Sequence, residues 1–248
     1  MSFDVARVKA ALPRRRVEYH ETLPSTMIAA ATMREPGAIV IANEQSAGQG
    51  RHGHTWHSEP ESGLYFTIVL APKVTSDQLP VVTLALGLAA QEAIGQVCGL
   101  HTDLRWPNDL LIGPRKCAGI LTQLEGDRVL AGIGINVNHS SLPSELAAIA
   151  TSLRMVTGRV QSREELLCAL AGGVDRMVAL LEEEGSSPVL ALFTAQSSYV
   201  RGRRVRVDLP GKPLTGTTAG LTADGYLLLD GDDGRRHTIL AGGVRPEN

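Results

Sequence analysis

The pattern of apolar residues changes near residue 200, and this change constrains the fold more than any other feature of the sequence. Before it, apolar residues recur at helical spacing over residues 162–184, behind a capping serine at Ser162. After Tyr199, short β-type runs are separated by Gly, Pro and Asp turns. The sequence therefore predicts two domains: a larger one with helices and strands over residues 1–199, and a small β-barrel or SH3-like domain over residues 200–248.

The larger domain contains the signals of both strands and helices. Strands are predicted over residues 38–42, 64–71, 104–106, 119–125 and 128–137. Helices are predicted over residues 27–34, behind Ser25-Thr26, and over residues 81–98 and 188–197. Between the first two strands lies a polar, Gly-rich loop over residues 43–63.

The composition excludes several classes of protein. With 43% hydrophobic and 20% charged residues in a chain of 248, it is not that of a disordered protein. The net charge of −2 argues against a protein that coats nucleic acid. The longest apolar stretch, residues 81–90, is too short and interrupted to cross a bilayer, and the start of the chain does not resemble a secretory signal. Cys98, Cys117 and Cys168 are an odd, widely scattered set, which fits buried thiols in a reducing compartment better than a disulfide framework. We therefore expect a cytoplasmic protein with no membrane partner.

Gly48, Gly50 and Gly53 match the dinucleotide-binding pattern G-x-G-x-x-G. That pattern needs a helix to open at its third glycine, whereas residues 54–60 are polar and end in a proline. The sequence therefore argues against a Rossmann site. What the glycines do permit is close approach of the backbone to a ligand, with Arg51 adding a positive charge.

Three histidines in the same loop, His52, His54 and His57, have a spacing that could ligate zinc. The alternative is a polar loop with surface imidazoles. No cysteine lies nearby and no downstream pair of ligands is evident, so we expect no bound metal.

Two further motifs could carry chemistry. The first runs from Arg105 to Asp109 and is followed by Lys116, which could stabilise developing negative charge beside the turn carboxylate. The alternative is a simple corner between a strand and a turn. The second alternates glycines at Gly132 and Gly134 before Asn136, which indicates close approach either of another backbone or of a ligand.

Taken in order, these motifs resemble the biotin protein ligases, also called biotin–[acetyl-CoA-carboxylase] ligases. The segments that carry the resemblance are residues 45–56, 105–109, 116–121 and 132–136, within a match over residues 22–140. The resemblance implies an α+β fold, in which a mixed β-sheet catalytic domain flanked by helices (the class II synthetase-like, biotin ligase fold) precedes an SH3-like β-barrel.

The resemblance also implies a reaction in two steps. Biotin is first activated with ATP and Mg²⁺ as biotinyl-5′-AMP, and pyrophosphate is released. A lysine of a biotin carboxyl carrier protein then attacks the mixed anhydride, which forms an amide and releases AMP. A homodimer is compatible with the family. Too few residues precede Ser25 for an N-terminal DNA-binding domain, so we expect no DNA partner.

The family's functional positions fall on residues of this chain. Biotin would be bound by Ser25, Thr26, Gln45, Gly48, Gln49, Arg51, Lys116, Gly119 and Gly132. The nucleotide would be bound by Arg51, Trp56, Asn108, Lys116 and Asn136. Lys116, Asp109 and Arg51 would be the catalytic residues. Gln49 stands where the family commonly has Arg or Lys, so one positive charge is missing from the loop.

Two alternatives remain at this stage. Lipoate or octanoate ligases and transferases share the fold and a lysine-centred site, but they lack the G-x-G-R-x-G-x-x-W loop. A non-catalytic regulator that keeps a biotin pocket would not need Lys116 and Asp109 together.

Overall fold

The larger domain is built on one mixed β-sheet. The computed structural model describes residues 2–209 and 213–247. The strands of this sheet are β1 (Val17–Leu23), β2 (Ile39–Gln45), β3 (Gly63–Leu70), β4 (Asp103–Arg105), β5 (Asp109–Ile112), β6 (Arg115–Glu125) and β7 (Arg128–Asn136). Their order is β1-β2-β3-β7-β6-β5-β4. β1 and β2 are parallel and the other neighbours are antiparallel, so most connections are hairpins or short crossovers.

Helices cover the two faces of the sheet unequally. They are α1 (Val5–Ala11), α2 (Thr26–Ala31), α3 (Leu79–Cys98), α4 (Ser144–Ala147), α5 (Leu153–Thr157), α6 (Arg163–Glu184) and α7 (Ser186–Gln196). On β7, Val129, Ala131 and Ile133 belong to the large core that includes α3 and α6, whereas Leu130 belongs to a small core with Met27 of α2. Because side chains alternate along a strand, these two sets of residues point to opposite faces of the sheet. The long helices α3 and α6 pack on one face, whereas the short α2 covers only part of the other and leaves the rest of it open.

The C-terminal residues form a separate antiparallel sheet. Its strands are β8 (Arg201–Asp208), β9 (Leu214–Leu221), β10 (Leu227–Gly231), β11 (Arg236–Ile239) and β12 (Gly243–Pro246), in the order β11-β10-β9-β8-β12. Its buried Val205 and Leu227 belong to the same core as α3. The indole Nε1 of Trp106 donates a 2.9 Å hydrogen bond to the Gly225 carbonyl, so the turn after β4 is fastened to this second sheet.

The predicted α+β fold, with a mixed sheet and a small C-terminal β domain, is confirmed. Helix α2 begins behind Ser25, whose hydroxyl accepts from the Met27 amide, as predicted, but it ends at Ala31 rather than at residue 34. The predictions missed β1, β12 and α1, which are mostly polar or at least partly exposed. They also missed β5, α4 and α5, which have only four or five residues each. The boundary near residue 200 falls between α7 and β8.

The apolar stretch at residues 81–90 was predicted to be too short to cross a bilayer, and this was wrong because the stretch is part of the longer helix α3. The 20 residues of α3 have the length and hydropathy to cross a membrane. In the protein, 72% of the apolar window is buried against the sheet and its neighbouring helices. α3 is therefore packed as the core helix of a folded domain.

Candidate active site

A cavity lies on the open face of the sheet, beside α2 and over the middle of β6 and β7. The space between its walls measures about 460 Å³ when the open mouth is included. Most of the predicted site residues line it, namely Ser25, Thr26, Gln45, Gln49, Arg51, Trp56, Asn108, Lys116, Gly119 and Gly132. Gly48 and Asp109 lie outside the lining, each next in sequence to a residue that forms it, and Asn136 lies outside it at the end of β7.

The floor of the cavity is bare backbone. Gly119 of β6 and Gly134 of β7 are directly opposite each other, and the indole of Trp56 lies across both. A Cβ at Gly134 would lie 2.5 Å from Cε2 of Trp56, and a Cβ at Gly119 would lie 2.9 Å from Cζ3. At Gly132 a Cβ would lie 2.7 Å from Sδ of Met27. The alternating glycines are therefore required because side chains pack directly onto the strands.

A β-bulge turns Lys116 toward the cavity. Leu110 and Leu111 are adjacent on β5 but pair with Ala118 and Lys116 of β6, so Cys117 is one extra residue. Strict alternation would place Lys116 on the same face as the buried Ala118. The extra residue reverses its direction and leaves Cys117 in the core, where its thiol contacts the Leu110 carbonyl at 3.4 Å. The Lys116 amide also donates a hydrogen bond to the Ile149 carbonyl, and the Lys116 carbonyl accepts one from the Thr151 amide.

Lys116 lies in a chain of charges with Asp109 and Arg105. Its Nζ is 2.5 Å from Oδ1 of Asp109, and Nη2 of Arg105 is 2.6 Å from Oδ2. The Asp109 side chain is only 15% exposed. Burial by itself would raise the pKa of Asp109, but the charges of Lys116 and Arg105 outweigh it, and the pKa is lowered. Asp109 is therefore an ionised partner that orients Lys116.

Asn108 links the turn before β5 to the Gly-rich loop. Its Nδ2 donates to the Ile120 carbonyl at 2.9 Å, and its carbonyl accepts from the Ile120 amide. Its Oδ1 accepts a 3.3 Å hydrogen bond from Nη1 of Arg51. Burial lowers the pKa of Arg51, yet a guanidinium stays charged in proteins. Arg51 and Lys116 thus bring two positive charges to one cavity.

The end of the cavity near α2 is held by a network of polar side chains. The amide and hydroxyl of Thr26 both donate to Oε1 of Gln45, at 2.9 and 3.2 Å. Nε2 of Gln45 donates to Oγ of Ser58 at 3.2 Å, and the Thr67 hydroxyl donates to that of Thr26. Ser25 caps α2 and is buried. Polar groups of fixed orientation therefore face this end of the cavity.

Residues 45–57, which we call the ligand loop, form a small hairpin rather than an irregular loop. The Trp56 amide donates to the Gly48 carbonyl, and Gln49 pairs with Thr55. A Cβ at Gly48 would lie 2.5 Å from the Trp56 carbonyl oxygen, so the strands of the hairpin approach closely there. Trp56 Nε1 is buried and has no hydrogen-bond partner among the residues that the structure describes.

Asn136 and Trp106 lie outside the cavity lining, whereas Gly134 lines the cavity without having been assigned to the site. Asn136 is buried and its Nδ2 donates to the Thr151 carbonyl, so its predicted contact with the nucleotide stays a prediction. Trp106 is buried against the second sheet and does not line the cavity. Gly134 was part of a predicted motif but had no predicted site role, although strand alternation places it on the same face as Gly132.

The described residues that line the cavity include two cations and no carboxylate. Such a site can bind an anion and stabilise negative charge that develops on its oxygens. The glycine floor and the Trp56 ring provide flat, apolar surfaces for a small organic ligand.

Comparisons with known proteins agree with this geometry. Residues 21–140 match the Biotin/lipoate A/B protein ligase family, and residues 201–244 match the Biotin protein ligase C terminal domain. The bifunctional ligase/repressor BirA of Bacillus subtilis is 32% identical over 87% of this chain and 70% of its own length. The biotin–[acetyl-CoA-carboxylase] ligase of Mycobacterium tuberculosis is 31% identical, over 84% of this chain and 78% of that protein.

A solved structure extends the agreement to the fold. The biotin protein ligase from Aquifex aeolicus in complex with biotin and ATP matches with a TM-score of 0.85 and 28% identity, covering 94% of this chain and 99% of that one. The first domain family includes lipoate enzymes, but the second match is to a domain named for biotin protein ligases. By both domains, this chain belongs to the biotin protein ligase family.

Proposed function

We propose that this protein is an ATP-dependent biotin ligase, which makes biotinyl-5′-AMP and transfers the biotinyl group to a lysine of a biotin carboxyl carrier protein. One observation carries the proposal: the cations Lys116 and Arg51 face a single cavity with a bare glycine floor. A carboxylate and an α-phosphate are both anions, and they must meet there before they can react. Two fixed cations reduce their repulsion and orient them together.

In the first step, the biotin carboxylate attacks the α-phosphate of ATP, and pyrophosphate leaves. Negative charge on the non-bridging oxygens grows as the bond forms, and Lys116 is positioned by Asp109 to stabilise it. No carboxylate is found among the described residues that line the cavity. We therefore assign the Mg²⁺ to the triphosphate of ATP, where it would neutralise the departing pyrophosphate.

In the second step, the neutral lysine amine of the carrier attacks the carbonyl carbon of biotinyl-5′-AMP, AMP leaves, and the proton that the amine loses passes to water. The same cations stabilise the tetrahedral intermediate and the departing phosphate. Asp109 is poorly suited to remove a proton from the amine, because its pKa is lowered by Lys116 and Arg105 once the effect of burial is overcome. We propose that it acts by holding Lys116.

The setting of the reaction is also a proposal. Cys98 and Cys117 are buried free thiols, and burial raises their pKa to about 11 and about 12. With Cys168 also free, the chain has three unpaired cysteines, a set that fits a reducing compartment and supports a cytoplasmic location.

The proposal is tested by comparing acyl substrates. Pyrophosphate release should require ATP and biotin, and it should stay at background when lipoate or octanoate replaces biotin. Release with lipoate or octanoate but not with biotin would assign the chain to the other branch of the superfamily. Binding of biotin without any release would indicate a regulator that only senses biotin.

Replacing Arg51 with glycine should release the intermediate early. Arg51 contacts Asn108 across the cavity, and Gln49 supplies no second charge to the loop. A charged hydrogen bond to a ligand anion contributes about 1.5–3 kcal/mol, so the adenylate should dissociate roughly ten- to hundredfold faster. Free biotinyl-5′-AMP would then biotinylate bystander lysines, which a biotin blot of added serum albumin detects.

The exposed Arg14→Gly variant controls for loss of any arginine. It should leave albumin unlabelled, as should the unaltered chain. If Arg51→Gly also leaves albumin unlabelled while it still makes adenylate, another group retains the intermediate.

The ligand loop should exchange its amide hydrogens quickly without ligand and slowly with biotin. Its main-chain hydrogen bonds near the tip, such as Gly50 to His54, are made within the hairpin itself. A loop of this kind can open as a unit and close over a ligand. Hydrogen-exchange mass spectrometry should show new protection over residues 45–57 on adding biotin, with no change in α3. Equal exchange in the loop with and without biotin would argue against closure.

A further inference from the structure

Beside the cavity, behind Trp56, lies a cluster of three potential metal ligands that the ligase reaction does not use. His57, Glu59 and His139 each offer one ligand atom, and these atoms all lie within 4.8 Å of one another. His57 and Glu59 are exposed, so the cluster can be reached from solvent. His139 is completely buried at 0% exposure, just after β7.

His139 is incompletely paired for a buried imidazole. Its Nε2 lies 3.3 Å from the Tyr65 hydroxyl and 4.0 Å from Oε2 of Glu59. Its Nδ1 is buried and has no hydrogen-bond partner within residues 2–209 and 213–247. Buried polar atoms are nearly always paired, so an unpaired nitrogen on a ring that also lies close to Glu59 and His57 points to a missing partner.

The surroundings hold the cluster in place. The His139 carbonyl accepts a 2.7 Å hydrogen bond from Oγ of Ser152, which fixes the backbone there. The Tyr65 hydroxyl also donates a 3.2 Å hydrogen bond to the Glu59 carbonyl, which holds the backbone at Glu59 close to His139. The rings of His57 and His139 are neighbours, with centroids 6.2 Å apart and planes tilted by 45°.

We propose that His57, Glu59 and His139 form a binding site for a divalent transition metal ion such as Zn²⁺. Two imidazoles and one carboxylate are a common zinc ligand set, and they leave a fourth position for water. Mg²⁺ prefers oxygen ligands, so the ion bound here would be distinct from the Mg²⁺ that accompanies ATP. The spacing of His52, His54 and His57, with no downstream ligands evident, predicted no bound metal. In the structure, His139 is such a downstream ligand, and His52 and His54 lie outside the cluster.

Such an ion would connect two segments that the chain keeps apart. His57 closes the ligand loop directly after Trp56, whereas His139 belongs to the segment that leaves β7. Bound metal would therefore fasten the end of the ligand loop to the sheet. Its effect is on how the loop is held, without contact to the reacting atoms.

The test is a Zn²⁺ titration by calorimetry on the full chain, free of any affinity tag, stripped with a chelator and without nucleotide. The unaltered chain should bind one Zn²⁺, and Mg²⁺ should give no heat of binding. His57→Ala and Glu59→Gln change exposed side chains and should each weaken the affinity for Zn²⁺ at least tenfold. His54→Ala removes an exposed histidine of the same loop outside the cluster and should leave the affinity unchanged.

Three results would overturn the proposal: no saturable binding of one Zn²⁺ by the unaltered chain, no loss of affinity in His57→Ala, or equal losses in His57→Ala and His54→Ala. A circular dichroism spectrum and melting curve for each variant would establish that it is folded, so that a loss of binding reports on the ligands.

Discussion

Replacing Lys116 with alanine should slow the formation of biotinyl-5′-AMP by about 10²–10³-fold, the usual effect of removing a positioned group that stabilises developing charge. The lysine lies on a bulge that aims it into the cavity, and its Nζ is 2.5 Å from Asp109. Its side chain is 28% exposed and contributes little to the core, so the fold should survive. Biotin-dependent pyrophosphate release and a thermal melt would measure the two effects separately.

Two further variants serve as controls for that result. Lys9→Ala removes an exposed lysine from α1 and should leave the rate unchanged. Lys116→Arg keeps the charge but changes its geometry, and should recover only part of the rate. Near-normal pyrophosphate release by a folded Lys116→Ala variant would remove Lys116 from the proposed role.

Adding a single methyl group to the floor of the cavity should also be costly. In Gly134→Ala the new Cβ would lie 2.5 to 2.8 Å from three atoms of the Trp56 indole, which is closer than real contacts allow. The ring belongs to the ligand loop, so it should swing away rather than distort the sheet. Misplacement of a positioning group by about 1 Å can cost on the order of 10²-fold in rate, and we expect a loss of this size in adenylate formation.

Gly172→Ala is the matched control, because a Cβ there would meet only a flexible arginine at an ordinary 3.5 Å. It should leave the rate unchanged. Fluorescence of the two tryptophans should respond to Gly134→Ala alone, since Trp106 is fixed by its bond to Gly225. If Gly134→Ala forms adenylate at the normal rate, the packing of Trp56 on the floor is not needed for catalysis.

Strong local signals explain how much of the fold could be predicted from the sequence. Helix α6 has a clear apolar stripe and a serine cap, and the predicted start was within one residue of the observed one. The hairpin between β6 and β7 follows from Gly126-Asp127 between two apolar runs. By contrast, β1 is half-exposed, and it is a strand because its backbone pairs with β2. Pairing of this kind is tertiary and leaves little trace in the side chains.

For the candidate site too, one part could be predicted from the sequence and another could not. Its residues could be predicted because the glycines, Lys116 and the neighbouring polar residues Asn108 and Asp109 stand out beside apolar strands. Their arrangement depended on features with no local signal, above all the extra residue at Cys117 that reverses the direction of Lys116. The hairpin of the ligand loop was also missed, since Gln49 and Thr55 pair across a turn that contains no typical hairpin sequence.

The most direct test of the proposed ligase activity is the mass of the acceptor. A biotin carboxyl carrier domain, incubated with this protein, biotin and ATP, should gain one biotinyl group by intact-mass spectrometry. The same domain with its acceptor lysine replaced by arginine should gain none. A carrier domain that stays unmodified while the folded protein consumes ATP and biotin, or a biotinyl group found equally on the arginine variant, would contradict the account.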